Sequence, residues 1–196
     1  MNSRDQGDQI MKANDLKMAL LMIAFAMQGC GGGGGSSSNN DPEQPQTQTG
    51  IFVDSPVINV GYKTETKEGV TNAQGEYEYL EGETVTFFIG DLEFPPVEAT
   101  GTVTPLDLAG TTDTADSTVI NIIRLLQTLD QDGNPDNGIT ITDAAKAAAT
   151  QVDFTLSESD FESADSVNDL ISSGGQNVAV SELIDTADAV AHFEEQ

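Results

Sequence analysis

The chain has 196 residues, with 33 Asp+Glu against 7 Lys+Arg, a formal net charge of −26 at pH 7, one cysteine, one histidine and no tryptophan. Phosphate binding needs clustered Lys and Arg, so this composition argues against a nucleic-acid partner and against peripheral attachment to anionic lipid. A single cysteine leaves no intramolecular disulfide, so stability must come from packing, for which about 150 ordered residues suffice.

The strongest signal lies in the first thirty residues. Met18 to Met27 reads MALLMIAFAM, an unbroken apolar run. It is shorter than the roughly 20 apolar residues that span a bilayer. With Lys12 and Lys17 before it, the run fits the h-region of a signal peptide. Met1 and Met11 are both candidate starts. From Met11 the segment to Cys30 is a compact signal, whereas residues 1–10 add Asp5 and Asp8 to a region expected to be positive. The run ends at Met27-Gln28-Gly29-Cys30, which resembles the bacterial lipobox. Met27 stands where leucine is usual, and Gln28 is larger than usual. The resemblance implies a signal peptide over 1–29, cleavage before Cys30, and lipid on that cysteine. Two or more acyl chains give stable membrane attachment. Gly31 follows the cysteine in place of the aspartate that retains lipoproteins at the inner membrane in some enteric bacteria, so the expected address is the cell envelope, leaning to the outer membrane.

All five methionines precede Cys30. Three basic and three acidic residues fall in 1–29, so the chain from Cys30 keeps four Lys+Arg, thirty Asp+Glu and the full −26. Residues 31–49 read GGGGGSSSNNDPEQPQTQT, a tether with nothing apolar to bury. At 5–6 Å × √n, it reaches about 24 Å root-mean-square.

From Gly50 to about Thr104 the pattern is β. IFVDS is a short apolar strand, and VINVGYKTET a longer one. Asn72-Ala73-Gln74-Gly75 signals a turn, and EYEYLEGETVTFFIGD reads as two strands around Glu81-Gly82. Pro95-Pro96 breaks the pattern before VEATGTVT. The stretch from Ser55-Pro56-Val57 through Gly61-Tyr62 to Gly69-Val70-Thr71-Asn72-Ala73-Gln74-Gly75-Glu76-Tyr77 resembles the carboxypeptidase-regulatory-like and transthyretin-like β-sandwiches. That resemblance covers about a third of the chain after Cys30, implies a fold, and brings no catalytic residue.

From Pro105 the period becomes helical. Val119, Ile122, Ile123, Leu126 and Leu129 form one apolar face, with Asp116 or Ser117 as N-cap. A short Ala-rich helix follows Thr142, another spans Ser163 to Ser172 before Gly174-Gly175, and a last one runs from Ser181 to about Phe193. The expected fold is α+β: a small antiparallel β-sandwich over 50–104, then a helical domain of three to four helices over 105–196.

The G-x-F-x-D-S-x-V opening, the β unit, the segment NIIRLLQTLDQDGNPDNGI and the final Ala-His-Phe together resemble a module of envelope lipoproteins and surface proteins of marine gammaproteobacteria. In larger members of that group the module precedes another domain; here the chain ends at Gln196, and a stand-alone module is expected. Stand-alone relatives include accessory lipoproteins of hydrophobic-substrate uptake, alkane utilisation among them. The resemblance implies a membrane-anchored binding or adaptor module whose partner is another envelope or outer-membrane protein.

The acidic loop 130–143 is the candidate site. Asp132, Asn134 and Asp136 at positions 1, 3 and 5, Ile139 at 8 and Asp143 at 12 follow an EF-hand spacing, and Asp130 offers an alternative register. Hard oxygen ligands suit Ca²⁺ or Mg²⁺. Asn137 replaces the glycine at position 6 and Asp143 the longer glutamate at 12. The competing reading is a capped turn in which Asp and Asn side chains bond their own backbone. His192 lacks a cysteine partner, a nucleophile elbow and an orienting acid in sequence, so an ordinary surface or half-buried helical histidine is expected. Arg124, surrounded by acids, is expected in a structural ion pair. No enzyme activity is expected. A Ca²⁺-dependent adhesive surface module is the alternative function, and a hydrolase ranks last.

Overall fold

The computed structural model describes residues 45–196; the signal segment, Cys30 and tether residues 31–44 lie outside the described residues. The described strands are β1 (Thr47–Phe52), β2 (Val57–Ile58), β3 (Gly61–Lys63), β4 (Glu68–Val70), β5 (Glu76–Leu80), β6 (Thr84–Ile89), β7 (Leu92–Glu93), β8 (Val97–Glu98), β9 (Thr102–Val103) and β10 (Ile139–Thr140). The helices are α1 (Pro105–Ala109), α2 (Ser117–Thr128), α3 (Asp143–Ala148), α4 (Glu158–Glu162), α5 (Asp165–Ser173) and α6 (Thr186–Glu194). The fold is α+β, a β-sandwich followed by helices.

The sheets run β5-β1-β9, β4-β3-β6-β7 with β8 also on β6, and β10-β2. Most pairs are antiparallel, but β1 with β9 and β2 with β10 are parallel. Period-2 alternation sets the inner faces. In β5, Tyr77 and Tyr79 are buried while Glu78 is exposed; in β6, Val85, Phe87 and Ile89 are buried. Across the sandwich Phe52 stacks on Phe87 with centroids 4.3 Å apart, and Tyr77 meets Phe87 edge-on at 5.2 Å.

The aromatic contacts continue out of the sheets. Phe52 touches Phe94 at 6.0 Å, Phe94 stacks on Phe154 at 5.3 Å, and Phe154 on Phe161 at 5.7 Å. One hydrophobic core therefore holds β residues together with Leu126, Phe161 and Leu170. The change of pattern at 104/105 is a change of secondary structure inside that core. Gly90, in the β6–β7 turn at φ 56°, shows how close the halves come: a Cβ there would lie 1.9 Å from the Lys146 carbonyl oxygen.

Several boundaries differ from the pattern reading. β1 begins three residues inside the expected tether, because Thr47, Gln48 and Thr49 pair with Leu80, Tyr79 and Glu78 through backbone alone. The expected long strand after Pro56 is broken at Asn59, which takes φ 64°. Its side chain donates to the Ile141 carbonyl and accepts from Lys146 Nζ, and these tertiary bonds hold the left-handed turn. Six α-helices form where three to four were expected; α1 and α4 have five residues each, too short to show a period. Both are set by caps, Thr104 with Asp107 as a capping box and Ser157 bonding Asp160 N–H. α6 starts at Thr186 and not at Ser181, because Ile184 N–H donates to Thr128 Oγ1 and Asp185 is the N-cap.

α2 is capped by Asp116, as its sequence suggests. Its surroundings differ from the expected one-faced stripe: every residue from Val119 to Asp130 is buried. A helix buried all round must satisfy its polar side chains internally. Asn121 Nδ2 donates to the Phe154 and Leu156 carbonyls, Arg124 Nε to Ile184 O at 2.7 Å, and Gln127 Nε2 to Ala189 O at 3.1 Å. α2 is thus the hub that ties the irregular segments of the C-terminal half. Arg124 also pairs with Glu162 at 3.3 Å. Among the described residues, no helix is long and apolar enough to cross a membrane.

Candidate functional site

The acidic loop leaves α2 at Asp130 and returns to the sandwich through β10, which pairs with β2. Asp130 is buried. Its Oδ1 accepts from Thr140 N–H at 2.8 Å and its Oδ2 from Asn134 N–H at 2.9 Å. Asp132 is exposed, accepting from Asn134 N–H at 3.0 Å and Asn137 Nδ2 at 3.0 Å. Burial raises the Asp130 pKa, whereas the hydrogen bond from Asn137 holds Asp132 below the usual carboxylate value. The pair thus shares its environment unequally, and a proton entering it sits on Asp130.

The other candidate ligands face elsewhere. Asp136 Oδ1 lies 3.2 Å from His192 Nδ1. Asp143 opens α3, with Lys146 at 3.3 Å and Asn59 Nδ2 at 3.3 Å, and those two hold its pKa down. As arranged, Asp130, Asp132, Asn134, Asp136 and Asp143 do not form one coordination shell, and no group of three His, Cys, Asp or Glu side chains in metal-holding geometry occurs among the described residues. The Asx-turn bonding within 130–137 is that of a capped loop. An ion recruiting Asp136 must displace His192. Melting in excess Ca²⁺ against melting in chelator tests the calcium expectation, and agreement within about 1 °C rejects it. Binding at a hundredfold excess over Kd would instead raise Tm by roughly 5–10 °C for a domain this size.

A second constellation was not visible in sequence. Ser55 Oγ lies 3.1 Å from His192 Nε2, and Asp136 is on the other ring nitrogen. The nucleophile and acid missing near His192 in sequence are therefore supplied by the turn after β1 and by the acidic loop. The tautomer with hydrogen on Nδ1 satisfies both contacts, with the Ser55 hydroxyl donating to Nε2. Beside them, buried Asp54 accepts from Gln127 Nε2 at 3.1 and 3.2 Å, and Gln127 Oε1 has no partner among the described residues. Burial pushes the Asp54 carboxyl up to about 7, against the lowering effect of Gln127.

The Ser–His–Asp order has the connectivity of a nucleophilic relay, but the exposures run the opposite way. A relay opens its serine to substrate and buries its acid. Here Ser55 is 1 % exposed, the His192 side chain 10 % and the Asp136 side chain 80 %. What the arrangement does is join three segments: the turn after β1, the acidic loop and α6. Their sequence trace was the polar pair Asp54-Ser55 inside an apolar strand, Gln127 inside an apolar helix, and the lone histidine.

No protein-family model, curated protein or solved structure matches the chain.

Proposed function

We propose that this chain is a non-catalytic lipoprotein, anchored through Cys30, that acts as a binding or adaptor module in the bacterial cell envelope and supports uptake of hydrophobic substrates such as alkanes. The observation that carries the non-catalytic reading is the use made of the one histidine: both ring nitrogens bond side chains that dock α6, and the serine beside it is closed to solvent. The lipobox resemblance and the Gly/Ser/Pro/Gln-rich run between Cys30 and β1 support the anchored placement, and the module resemblance supports the substrate class. The strong negative charge suits a partner with a basic surface.

Deleting the gene is expected to slow growth on a liquid alkane and leave growth on a soluble organic acid unchanged, with Cys30→Ala failing to complement. Ser55→Ala is expected to complement. Normal growth of the deletion strain on alkane overturns the uptake reading. A folded Ser55→Ala variant that fails to complement overturns the non-catalytic one.

A further inference from the structure

β4 and β5 are both terminal strands of their sheets. They leave the turn at Asn72–Gly75 in different sheets, and between them opens a cleft of about 230 Å³. Tyr62 and Tyr77 form its floor, with ring centroids 5.8 Å apart at 60°. Val70 from β4 and Glu76 and Glu78 from β5 form its rim. Tyr62 lies flat across Gly69, where a Cβ would come within 2.8 Å of its hydroxyl. Its hydroxyl makes no hydrogen bond among the described residues, so the cleft has a free polar group at its base.

The ladders show which backbone groups face outward. Thr71 N–H donates to Val60 O at 2.8 Å and Thr64 N–H to Lys67 O at 2.7 Å, in register with Tyr62 opposite Gly69. Antiparallel alternation then turns the N–H and C=O of Glu68 and Val70 away from β3. On the other side, Phe52 N–H donates to Gly75 O, in register with Gly50 opposite Tyr77, which turns the Glu78 backbone away from β1. The outward groups of Glu76 and Leu80 are already used, by Asn72 and by Glu83. The usable edge is therefore that of β4, and no proline blunts Glu68–Val70.

We propose that this cleft is a docking groove for an extended, lysine- or arginine-bearing segment of a partner protein, which adds to the sheet as a strand along β4. Main-chain bonds to Glu68 and Val70 would supply affinity, as in strand addition generally. Side chains on one face of the incoming strand would cover Val70, which is 53 % exposed. Those on the other would lie against the small accessible part of Tyr62, which is 7 % exposed, with Tyr77 beneath it at 1 %. Glu76 and Glu78 on the rim select for basic residues by charge; Glu68, opposite Lys63 in the ladder, does not line the cleft, and neither do Lys63 and Lys67. The adaptor reading gives this groove its use, but the binding is testable without it.

The chain itself provides the signal. Its three tyrosines are Tyr62, Tyr77 and Tyr79, and it has no tryptophan, so tyrosine emission reports on the cleft. The full chain is titrated with Ac-KVKVKV-NH2, Ac-EVEVEV-NH2 and the flexible Ac-KGKGKG-NH2. Saturable binding of the first alone is expected. Glu78→Lys should weaken it about tenfold, and Val70→Pro, which removes an edge N–H, should abolish it. If Val70→Pro does not fold, Glu78→Lys carries the test. Equal binding of KVKVKV and KGKGKG, or indifference to Glu78→Lys, overturns the proposal. So does self-association of the full chain that Val70→Pro dissolves, which would make the occupant a second copy. Peptide failure with an intact alkane phenotype rejects the groove and leaves the adaptor reading standing.

Discussion

Asp54→Asn is expected to make the protein more stable than wild type at pH 8 and to leave it nearly unchanged at pH 4. Asp54 is buried, and its carboxyl is held up to about 7 from an ordinary 3.8. Its only hydrogen-bond donor among the described residues is Gln127 Nε2, one amide set against full desolvation. Between pH 4 and 7 the unfolded chain releases this proton and the folded one keeps it. The folded state then binds more protons, so unfolding free energy falls as pH rises through that window. A shift of about three units at 1.36 kcal/mol each removes roughly 4 kcal/mol by pH 7 and above. Asparagine keeps an oxygen for Gln127 and has no charge to desolvate. Urea midpoints of wild type and variant at pH 4 and pH 8 measure the difference, and the comparison cancels most of the general repulsion in a −26 chain. Equal destabilisation of Asp54→Asn at both pH values would mean that the ionised carboxylate is well accommodated.

Asp54 also shows where sequence pattern stops. The alternation of Glu76 to Leu80 and Thr84 to Ile89 sets two strands because each residue's face is decided by its immediate neighbours. The span and cap of α2 follow from a local period and one aspartate. β10 is different: its two residues become a strand only because Val57 and Ile58 lie alongside. Asn59 breaks a β-prone run through bonds to Ile141 and Lys146, more than eighty residues away. The same holds for the site. The acidic loop was visible because its spacing is local, whereas Ser55 and His192 are separated by 137 positions and nothing in either segment names the other. Buried polar residues in apolar runs (Asp54, Asn121, Gln127) were the available sign that long-range partners had to exist.

Phe193→Ala is expected to release α6 while the rest of the fold stays intact. α6 does not belong to the main core. It docks through a separate small cluster of Val119, Ile123, Ala189 and Phe193. Truncating a buried phenylalanine typically removes about 3–5 kcal/mol. The remaining polar ties are the Ser55–His192–Asp136 contacts, the Gln127 bond to Ala189 O, Thr114 to Glu194, and Thr186 to Glu158. Each is worth about 1 kcal/mol net, and a nine-residue helix does not persist undocked. Amide exchange should therefore become fast across 186–194 and stay slow in α2, β1 and β6. His192→Ala should show the same pattern with a smaller amplitude. Release of α6 also opens the space around Gln127 and Asp54 to water, since Gln127 bridges the two. The advantage of Asp54→Asn at pH 8 should then shrink in the Phe193→Ala background. Protection retained over 186–194 would place the docking energy elsewhere, and an undiminished Asp54→Asn advantage would mean that α6 is not what keeps water from Asp54.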